Sequence, residues 1–333
     1  MNNKFSSALA PIIARYLSLK ESLGRIYKVE RIVLTHLDTY LNATGQDLTS
    51  ESFQQWISTR LQLASSVRGY WMRITRNFCL YRRRTAPDCF VPDLSQFPIP
   101  HQTVKPYIFH ETEIVRILAK IRQLPPGARS PLRRHNMLLA VTLLYTAGLR
   151  KSELLRLTLR DCDLCEGTLL IRESKFHKSR LLPLSRDALK AIEMVLQERQ
   201  SRRLPLSPES PLLWNGYGKG GTYSGASLNE SISDLLQKSG VRTAAGRPPR
   251  VHDFRYTFAA HALLRWYRAG KNVQAKLPAL AAYMGHVSIV STEYYLRFVE
   301  ELSTVASERF QSRFGTLISS AAEDGGYHGA HKY

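Results

Sequence analysis

The stretch that decides the fold is Val251-His252-Asp253-Phe254-Arg255-Tyr256, followed by Tyr283-Met284-Gly285-His286 and the Tyr294-Tyr295 pair. It brings two histidines, an arginine and a tyrosine into the span 252–295. Two earlier segments add cations. Thr146-Ala147-Gly148-Leu149-Arg150-Lys151-Ser152-Glu153-Leu154 supplies Arg150, and Ser174-Lys175-Phe176-His177-Lys178-Ser179-Arg180 supplies Lys175. Each residue alone would more often be an ordinary packing or surface residue. Their combination calls for a chemical explanation.

The charge of the chain points to a polyanionic partner. The 333 residues carry a formal net charge of +20. Residues 1–105 contribute +7 and the remainder +13, so both halves are basic. A protein that grips a polyanion along its length has this charge distribution. The length predicts about two domains.

Composition also indicates the compartment. We find no run of 18 apolar residues and no apolar segment after Met1-Asn2-Asn3-Lys4, so we expect neither a membrane span nor a signal peptide. The four cysteines are few and unevenly spaced, which favours reduced thiols over a disulfide framework. The sequence therefore predicts a cytoplasmic, nucleoid-associated bacterial protein.

The first part of the chain is predicted to be helical. Apolar residues recur at three-to-four spacing over 8–42, with Gly24 as a break, and a second helix is expected to start at Thr49 or Ser50. A third helix over about 65–84 alternates aromatic residues with arginines, a pattern that suits packing on one face and phosphate contact on the other. The expected DNA-binding residues there are Arg68, Arg73, Arg76, Arg82 and Arg83.

Proline marks the boundary between two predicted domains. Residues 86–106 contain five prolines and cannot form one helix. We therefore predict a helical DNA-binding domain over 1–86, an extended linker over 87–106, a larger domain over 107–320 and a flexible tail over 321–333.

The larger domain is predicted to be mainly helical with a small antiparallel β-sheet. Residues 168–172 and 180–184 are two short apolar runs joined by a polar, basic turn, and 212–214 is a candidate third strand. Helices are expected over 110–123, 132–147, 185–203, 226–239, 253–269, 277–284, 289–296 and about 300–318. We also expect Glu153 to be a buried partner that holds Arg150 or the backbone.

The cations and the tyrosine suit metal-free attack on a phosphodiester. Such attack builds negative charge on the non-bridging oxygens and on the leaving oxygen, and fixed cations or metals must stabilise it. No acidic cluster suited to two metals is evident, so we expect no metal and no cofactor. Arg150 and Arg255 are natural phosphate clamps because a guanidinium offers two parallel donors. His252 lies three residues before Arg255, which puts both on one face of a helical turn.

The remaining groups complete the reaction. His286 can donate a hydrogen bond to a non-bridging oxygen or accept a proton. Lys175, at a hairpin tip, is a candidate general acid for the leaving 5′ oxygen. The hydroxyl of Tyr295 can act as the covalent nucleophile.

These segments resemble the tyrosine recombinases. The Arg150 segment looks like the family's first arginine box, and the Lys175 turn resembles its β2–β3 lysine turn. His252-Asp253-Phe254-Arg255 matches the family's His-x-x-Arg box, and Met284-Gly285-His286 matches its Leu-Gly-His element. The family's nucleophile typically follows that histidine by nine positions, which lands on Tyr295. The N-terminal helices are similar to the family's core-binding domain.

The resemblance implies a fold and a mechanism. The fold would be a two-domain C-clamp with a helical core-binding domain and a mixed α/β catalytic domain. Tyr295 would cut one strand of double-stranded DNA and keep a 3′-phosphotyrosyl link, which a partner strand's 5′ hydroxyl then attacks without metal or ATP. Four protomers, of one or two kinds, would act on two specific sites in integration or transposition of a mobile element.

Several alternatives stay open. Glycines usually flank the family's lysine, whereas Ser174 and Phe176 flank Lys175 here, so Lys178 is a rival general acid. If Lys178 is not the general acid, it is expected to contact DNA, as is Arg180. Tyr294 is a rival nucleophile. A type IB topoisomerase would share the chemistry, and a catalytically silent DNA-binding accessory subunit would retain the side chains. Cys162-x-x-Cys165 lacks the second pair that a zinc site needs.

Overall fold

The computed structural model describes residues 5–99, 105–125, 130–172, 179–216 and 221–285. The chain divides into two compact units, Met1–Val104 and Lys105–Tyr333. Helices predominate in both, and the second unit contains a small antiparallel sheet, as the sequence predicts. Within the described ranges, no helix is both long enough and apolar enough to cross a membrane.

The first unit is a small helical bundle. Its helices are α1 (Ala10–Ser22), α2 (Lys28–Thr44), α3 (Ser50–Ser58) and α4 (Ser65–Arg82). Gly24, at φ +75°, separates α1 from α2, which confirms the predicted break. Thr49 caps α3 by a reciprocal pair of hydrogen bonds with Ser52 (3.2 and 2.9 Å), so the predicted helix start is confirmed. Trp56 and Phe78 lie fully buried in the core.

The Pro-rich segment packs against the first unit. Phe90, Val91 and Phe97 lie against its core, and a 3-10 turn forms over Leu94–Gln96. The Gln54 side-chain amide donates to the Gln96 side chain at 2.7 Å. The sequence described residues 87–106 as an extended linker because prolines exclude a helix. It could not reveal that the aromatic residues between the prolines would be drawn into the neighbouring apolar core.

The second unit is built around one buried helix. Its helices are α5 (Glu111–Arg122), α6 (Arg133–Thr146), α7 (Lys151–Leu154), α8 (Arg186–Ser201), α9 (Gly225–Lys238), α10 (Asp253–Arg268) and α11 (Val273–Met284). Helix α6 is buried over most of its length and packs against α5, α8 and α10, as its apolar sequence predicts. Its C-terminal end leads directly into the Arg150 segment.

The sheet confirms one sequence prediction and corrects another. Strands β1 (Cys162–Asp163), β2 (Thr168–Ile171) and β3 (Arg180–Pro183) lie in that order and pair antiparallel. In the β2–β3 hairpin, Leu169 faces Leu182, and both are buried. The third strand is β1; predicting it at 212–214 was wrong. That segment makes only isolated bridges, from Pro211 to Thr158 and from Trp214 to Thr222.

Helix α11 starts earlier than predicted. The sequence prediction placed its start at 277. Instead, Asn272 caps the helix by accepting from the Ala275 amide at 3.1 Å, and Pro278 lies inside it. An asparagine cap satisfies a first-turn amide that would otherwise lack a partner. The predicted helices over 289–296 and 300–318 lie outside the described residues.

Candidate active site

A glycine turn sets the position of Arg150. Gly148 adopts φ +58° between α6 and α7, and a Cβ there would lie 2.4 Å from the Phe258 ring. Any other residue would meet both the left-handed backbone and this ring. The turn places Arg150 at the N-cap of α7, next to the buried Leu149. Its side chain is partly accessible, with 21% of its surface exposed.

His252 and Arg255 lie on the first turn of α10. His252 occupies the N-cap position without a side-chain capping bond and is exposed, whereas Arg255 is only 1% exposed. The Arg255 guanidinium donates to the carbonyls of Gly148 and Met284, each at 2.6 Å. It therefore joins the glycine turn before Arg150 to the end of α11. The predicted helical turn carrying both residues is confirmed.

Three arginines meet at the C-terminal end of α11. Three successive carbonyls there receive guanidinium donors: Tyr283 from Arg180 Nε at 2.8 Å, Met284 from Arg255 Nη2 at 2.6 Å, and Gly285 from Arg150 Nη2 at 2.9 Å. The last carbonyls of a helix lack partners within it and form the negative end of its dipole, so cations are favoured there. Gly285 ends the helix in the left-handed conformation at φ +66°. The next residue in sequence is His286.

Glu153 lies between two of these arginines. It is 2% exposed and accepts from the Arg150 amide at 2.9 Å and from Arg150 Nη1 at 2.7 Å. The expected buried partner of Arg150 is thus confirmed. Glu153 also accepts from both Nη atoms of Arg180, at 3.1 and 3.0 Å. Burial raises the pKa of the Glu153 carboxyl, but hydrogen bonds from Arg180 and Arg150 outweigh this and bring the pKa to about 2.

The surroundings of His252 favour its neutral form. Partial burial lowers the pKa of the imidazole below 6.5, and the Arg255 guanidinium lowers it further, against the opposing Asp253 carboxylate. The ring also contacts Tyr256 edge-on, with centroids 5.1 Å apart. A neutral imidazole can accept a proton near pH 7.

We expect the free energy of unfolding to fall as the pH drops below 6.5, partly because of His252. The unfolded imidazole binds a proton near pH 6.5, whereas the folded one, with its lower pKa, does so only at lower pH. The unfolded state then binds more protons, and stability is lost as the pH falls through this window. Urea unfolding at pH 7.5 and 5.5 should show a smaller pH dependence in His252→Gln than in the wild type. Equal dependences would contradict a lowered pKa, as would an NMR titration of His252 with a midpoint at or above 6.5.

The arginines predicted to bind DNA on α4 differ in their surroundings. Arg73 and Arg83 are exposed. The other three donate to protein groups: Arg82 to Asp47 at 3.0 Å, Arg76 to the Pro92 carbonyl, and Arg68 to the Leu61 and Leu63 carbonyls at 3.4 and 3.3 Å. Arg73 and Arg83 are therefore the better placed to contact phosphate.

Four of the predicted functional residues cannot be located. Lys175, Lys178, His286 and Tyr295 lie outside the described residues, as does the rival Tyr294. The described part thus brings Arg150 and Arg255 together at the end of α11, and His252 lies near enough to both for their charges to lower its pKa. It adds one group that the sequence did not place in this site, Arg180, which was expected on DNA.

The Cys162-x-x-Cys165 pair has no metal-binding environment. Cys162 is half-buried in β1 and Cys165 is exposed. Burial raises the pKa of the Cys162 thiol to about 12, so the thiolate that zinc requires is disfavoured. Within the described ranges, no group of three His, Cys, Asp or Glu side chains is arranged to hold a metal.

Known proteins that are similar to this chain agree with the presence of such a site. The model of the phage integrase family matches residues 108–301. The chain is 28% identical to a Sinorhizobium fredii protein named as an integrase/recombinase, y4rB, over 92% of this chain and 98% of that protein. It is 27% identical to the tyrosine recombinase XerC of Lactobacillus leichmannii, over 80% of this chain and 78% of that protein.

Two solved structures share the fold. The XerH site-specific recombinase, bound to its palindromic difH substrate, matches with a TM-score of 0.60 and 18% identity, over 84% of this chain and 78% of that chain. The integrase of transposon Tn1549, in complex with circular intermediate DNA, matches with a TM-score of 0.59 and 18% identity, over 85% of this chain and 94% of that chain. With its arginine boxes assembled in this fold, the chain belongs to the phage integrase family.

Proposed function

We propose that the chain cuts and rejoins double-stranded DNA through a 3′-phosphotyrosyl link to Tyr295. The observation that carries this proposal is the meeting of Arg150 and Arg255 at the end of α11, one residue before His286. Two guanidiniums held by one structural element can act on one phosphate. The relatives named as recombinases and the DNA-bound structures of similar fold support DNA as the substrate.

The proposed reaction exchanges one phosphodiester for another. The Tyr295 oxygen attacks phosphorus, and the bond from phosphorus to the 5′ oxygen breaks. Arg150 and Arg255 stabilise the charge that develops on the non-bridging oxygens. Neutral His252 or His286 accepts the tyrosine proton, and Lys175, or Lys178, gives a proton to the leaving 5′ oxygen. A 5′ hydroxyl from a partner strand reverses these steps. Because one ester bond forms for each that breaks, the scheme requires no ATP.

Both units of the chain would contact DNA. We propose that the first unit is a core-binding domain and that residues 107–320 form the catalytic domain. The two would clamp the duplex, with Arg73 and Arg83 of α4 at its phosphates. Protomers would assemble as a tetramer on two sites, and the transposon integrase of similar fold supports a role in integration or transposition.

Replacing Arg73 and Arg83 together by alanine should reduce the salt dependence of DNA binding. Each lost phosphate contact removes about one unit from the slope of log affinity against log salt concentration. Fluorescence anisotropy between low and physiological salt measures this slope. Arg31→Ala is a matched control, because it removes one charge from a side chain paired with Glu21 on the same unit. A slope that falls as much in the control as per residue in the double variant would contradict specific contacts by α4.

A plasmid assay tests the proposed function as a whole. A supercoiled plasmid carrying two copies of the DNA that flanks this chain's own gene is incubated with the protein in EDTA. Site-specific recombination yields deletion or inversion products with defined junctions. Relaxation without rearranged junctions would instead indicate topoisomerase activity. Binding with neither product would indicate an accessory subunit.

A further inference from the structure

Arg180 is held inside the second unit. It lies at the first position of β3, and only 11% of its side-chain surface is exposed. Its Nη atoms donate to the two oxygens of Glu153, at 3.1 and 3.0 Å, and its Nε donates to the Tyr283 carbonyl at 2.8 Å. Its two Nη atoms thus span both oxygens of a buried carboxylate, and a phosphate would have to compete with Glu153 for this guanidinium.

The pairing with Arg180 fixes the orientation of the Glu153 carboxylate. A guanidinium that spans both oxygens sets the plane of the carboxylate, which a single hydrogen bond does not. Oε1 of the same carboxylate accepts from Arg150 Nη1, and Oε2 accepts from the Arg150 amide. The direction in which Arg150 extends from the start of α7 therefore depends on where Arg180 holds Glu153.

Arg180 also contacts the other group that holds Arg150. A Cβ at Gly285 would lie 2.8 Å from Arg180 Nη1, so the backbone at the end of α11 lies directly against this guanidinium. The Gly285 carbonyl is the acceptor for Arg150 Nη2 at 2.9 Å. Arg180 thus binds the Glu153 carboxylate and lies against the backbone of Gly285, the two residues to which the Arg150 guanidinium donates in the described part of the chain.

We infer that Arg180 is a positioning residue that orients Arg150 for the scissile phosphate through Glu153 and the end of α11. The inference rests on the proposed function, since it assigns a task within that reaction. It replaces the sequence-based prediction that Arg180 contacts DNA. In this arrangement Glu153 and Arg180 together hold Arg150 in the orientation that phosphate binding requires.

The test is a double-mutant cycle between Arg180→Lys and Arg150→Ala. Lysine keeps the charge of Arg180 but cannot span both oxygens of Glu153 and also reach the Tyr283 carbonyl. Single-turnover formation of the covalent protein–DNA adduct should slow by about 100-fold in Arg180→Lys, the scale expected for misplacing a catalytic group by about 1 Å. In the Arg150→Ala background, Arg180→Lys should add little further loss, because it acts through the residue already removed.

DNA binding distinguishes positioning from contact. The salt dependence is measured in Arg180→Gln, which removes the charge that lysine keeps: a positioning role leaves the affinity and its salt slope unchanged, whereas loss of a phosphate contact lowers the slope by about one. Arg202→Lys is the matched control: it makes the same change at an arginine of the same unit whose partner is Glu198 (2.6 Å) rather than Glu153, and should cleave at the wild-type rate. If thermal melting shows that Arg180→Lys does not fold, Glu153→Asp replaces it in the cycle, because it draws the carboxylate away from both arginines.

The outcomes separate this inference from the proposed function. Slow cleavage with unchanged binding and no added loss in the double variant supports the positioning role. Wild-type cleavage in Arg180→Lys, a reduced salt slope, or losses that multiply in the double variant would each overturn it while leaving the proposed function standing. A wild-type chain that binds the DNA but forms no adduct would overturn the proposed function, and this inference with it.

Discussion

Replacing Arg150 by alanine should slow covalent cleavage of DNA by roughly 100–1,000-fold, the cost of removing one preorganised donor from a developing oxyanion. The side chain is fixed by Glu153 and by the Gly285 carbonyl, yet keeps 21% of its surface exposed. It is therefore both oriented and reachable. Because the clamp contributes one phosphate contact among many, the affinity for DNA should change far less than the rate. Single-turnover adduct formation and anisotropy measure the two quantities separately.

Lys151 offers a control one residue away. It is also a cation on α7, but its ammonium group donates to the Gly225 carbonyl at 3.2 Å, at the start of α9. Lys151→Ala removes the same charge without touching the end of α11, and its cleavage rate should stay within a few-fold of the wild type. Wild-type cleavage by Arg150→Ala would show that this arginine does not act on the phosphate. Equal losses in the two variants would point to general charge loss.

Replacing Gly148 by alanine should destabilise the second unit and also slow cleavage. The left-handed backbone costs an alanine about 1 kcal/mol. The added Cβ would lie 2.4 Å from the Phe258 ring, and overpacking of this kind costs about 1–3 kcal/mol. Relief of the clash would shift the turn that carries Arg150 and displace the carbonyl to which Arg255 donates. Urea unfolding and adduct formation should therefore both report the substitution.

Gly246→Ala separates the two costs. Gly246 lies in the same unit at φ +72°, but a Cβ there would meet nothing within 4 Å. This variant carries the backbone cost alone, so Gly148→Ala should be the less stable by about 2 kcal/mol. In a Phe258→Ala background, the clash disappears and Gly148→Ala should cost much less. Equal destabilisation by the two glycine substitutions would show that the Phe258 contact does not constrain the turn.

The sequence predicted the parts of the site that depend on local pattern. A long apolar segment identified α6, and two short apolar runs joined by a polar, basic turn identified the β2–β3 hairpin, because these signals are local in sequence. The sequence also predicted the glycine turn before Arg150 and the helical turn that carries His252 and Arg255. Glu153 was expected to be a buried partner of Arg150 or of the backbone, and it accepts from both the guanidinium and the amide of Arg150.

The contacts that assemble the site were not predictable in this way. The carbonyls of Tyr283, Met284 and Gly285 receive arginines that come from α7, β3 and α10. Their meeting depends on how separate elements pack, which no local pattern encodes. Arg180 was expected on DNA because its segment is polar and basic, as a surface turn would be. Only its distance to Glu153, 27 residues away in sequence, identifies it as an internal one.

The most direct measurement of the central claim is trapping of the covalent intermediate. A nicked duplex that carries the DNA flanking this chain's own gene is incubated with the protein in EDTA, and adducts are resolved on a denaturing gel. We predict an adduct from the wild type and from Tyr294→Phe, and none from Tyr295→Phe. An adduct that persists in Tyr295→Phe, or its absence from wild-type protein shown to bind this DNA, would contradict a phosphotyrosyl enzyme with Tyr295 as its nucleophile.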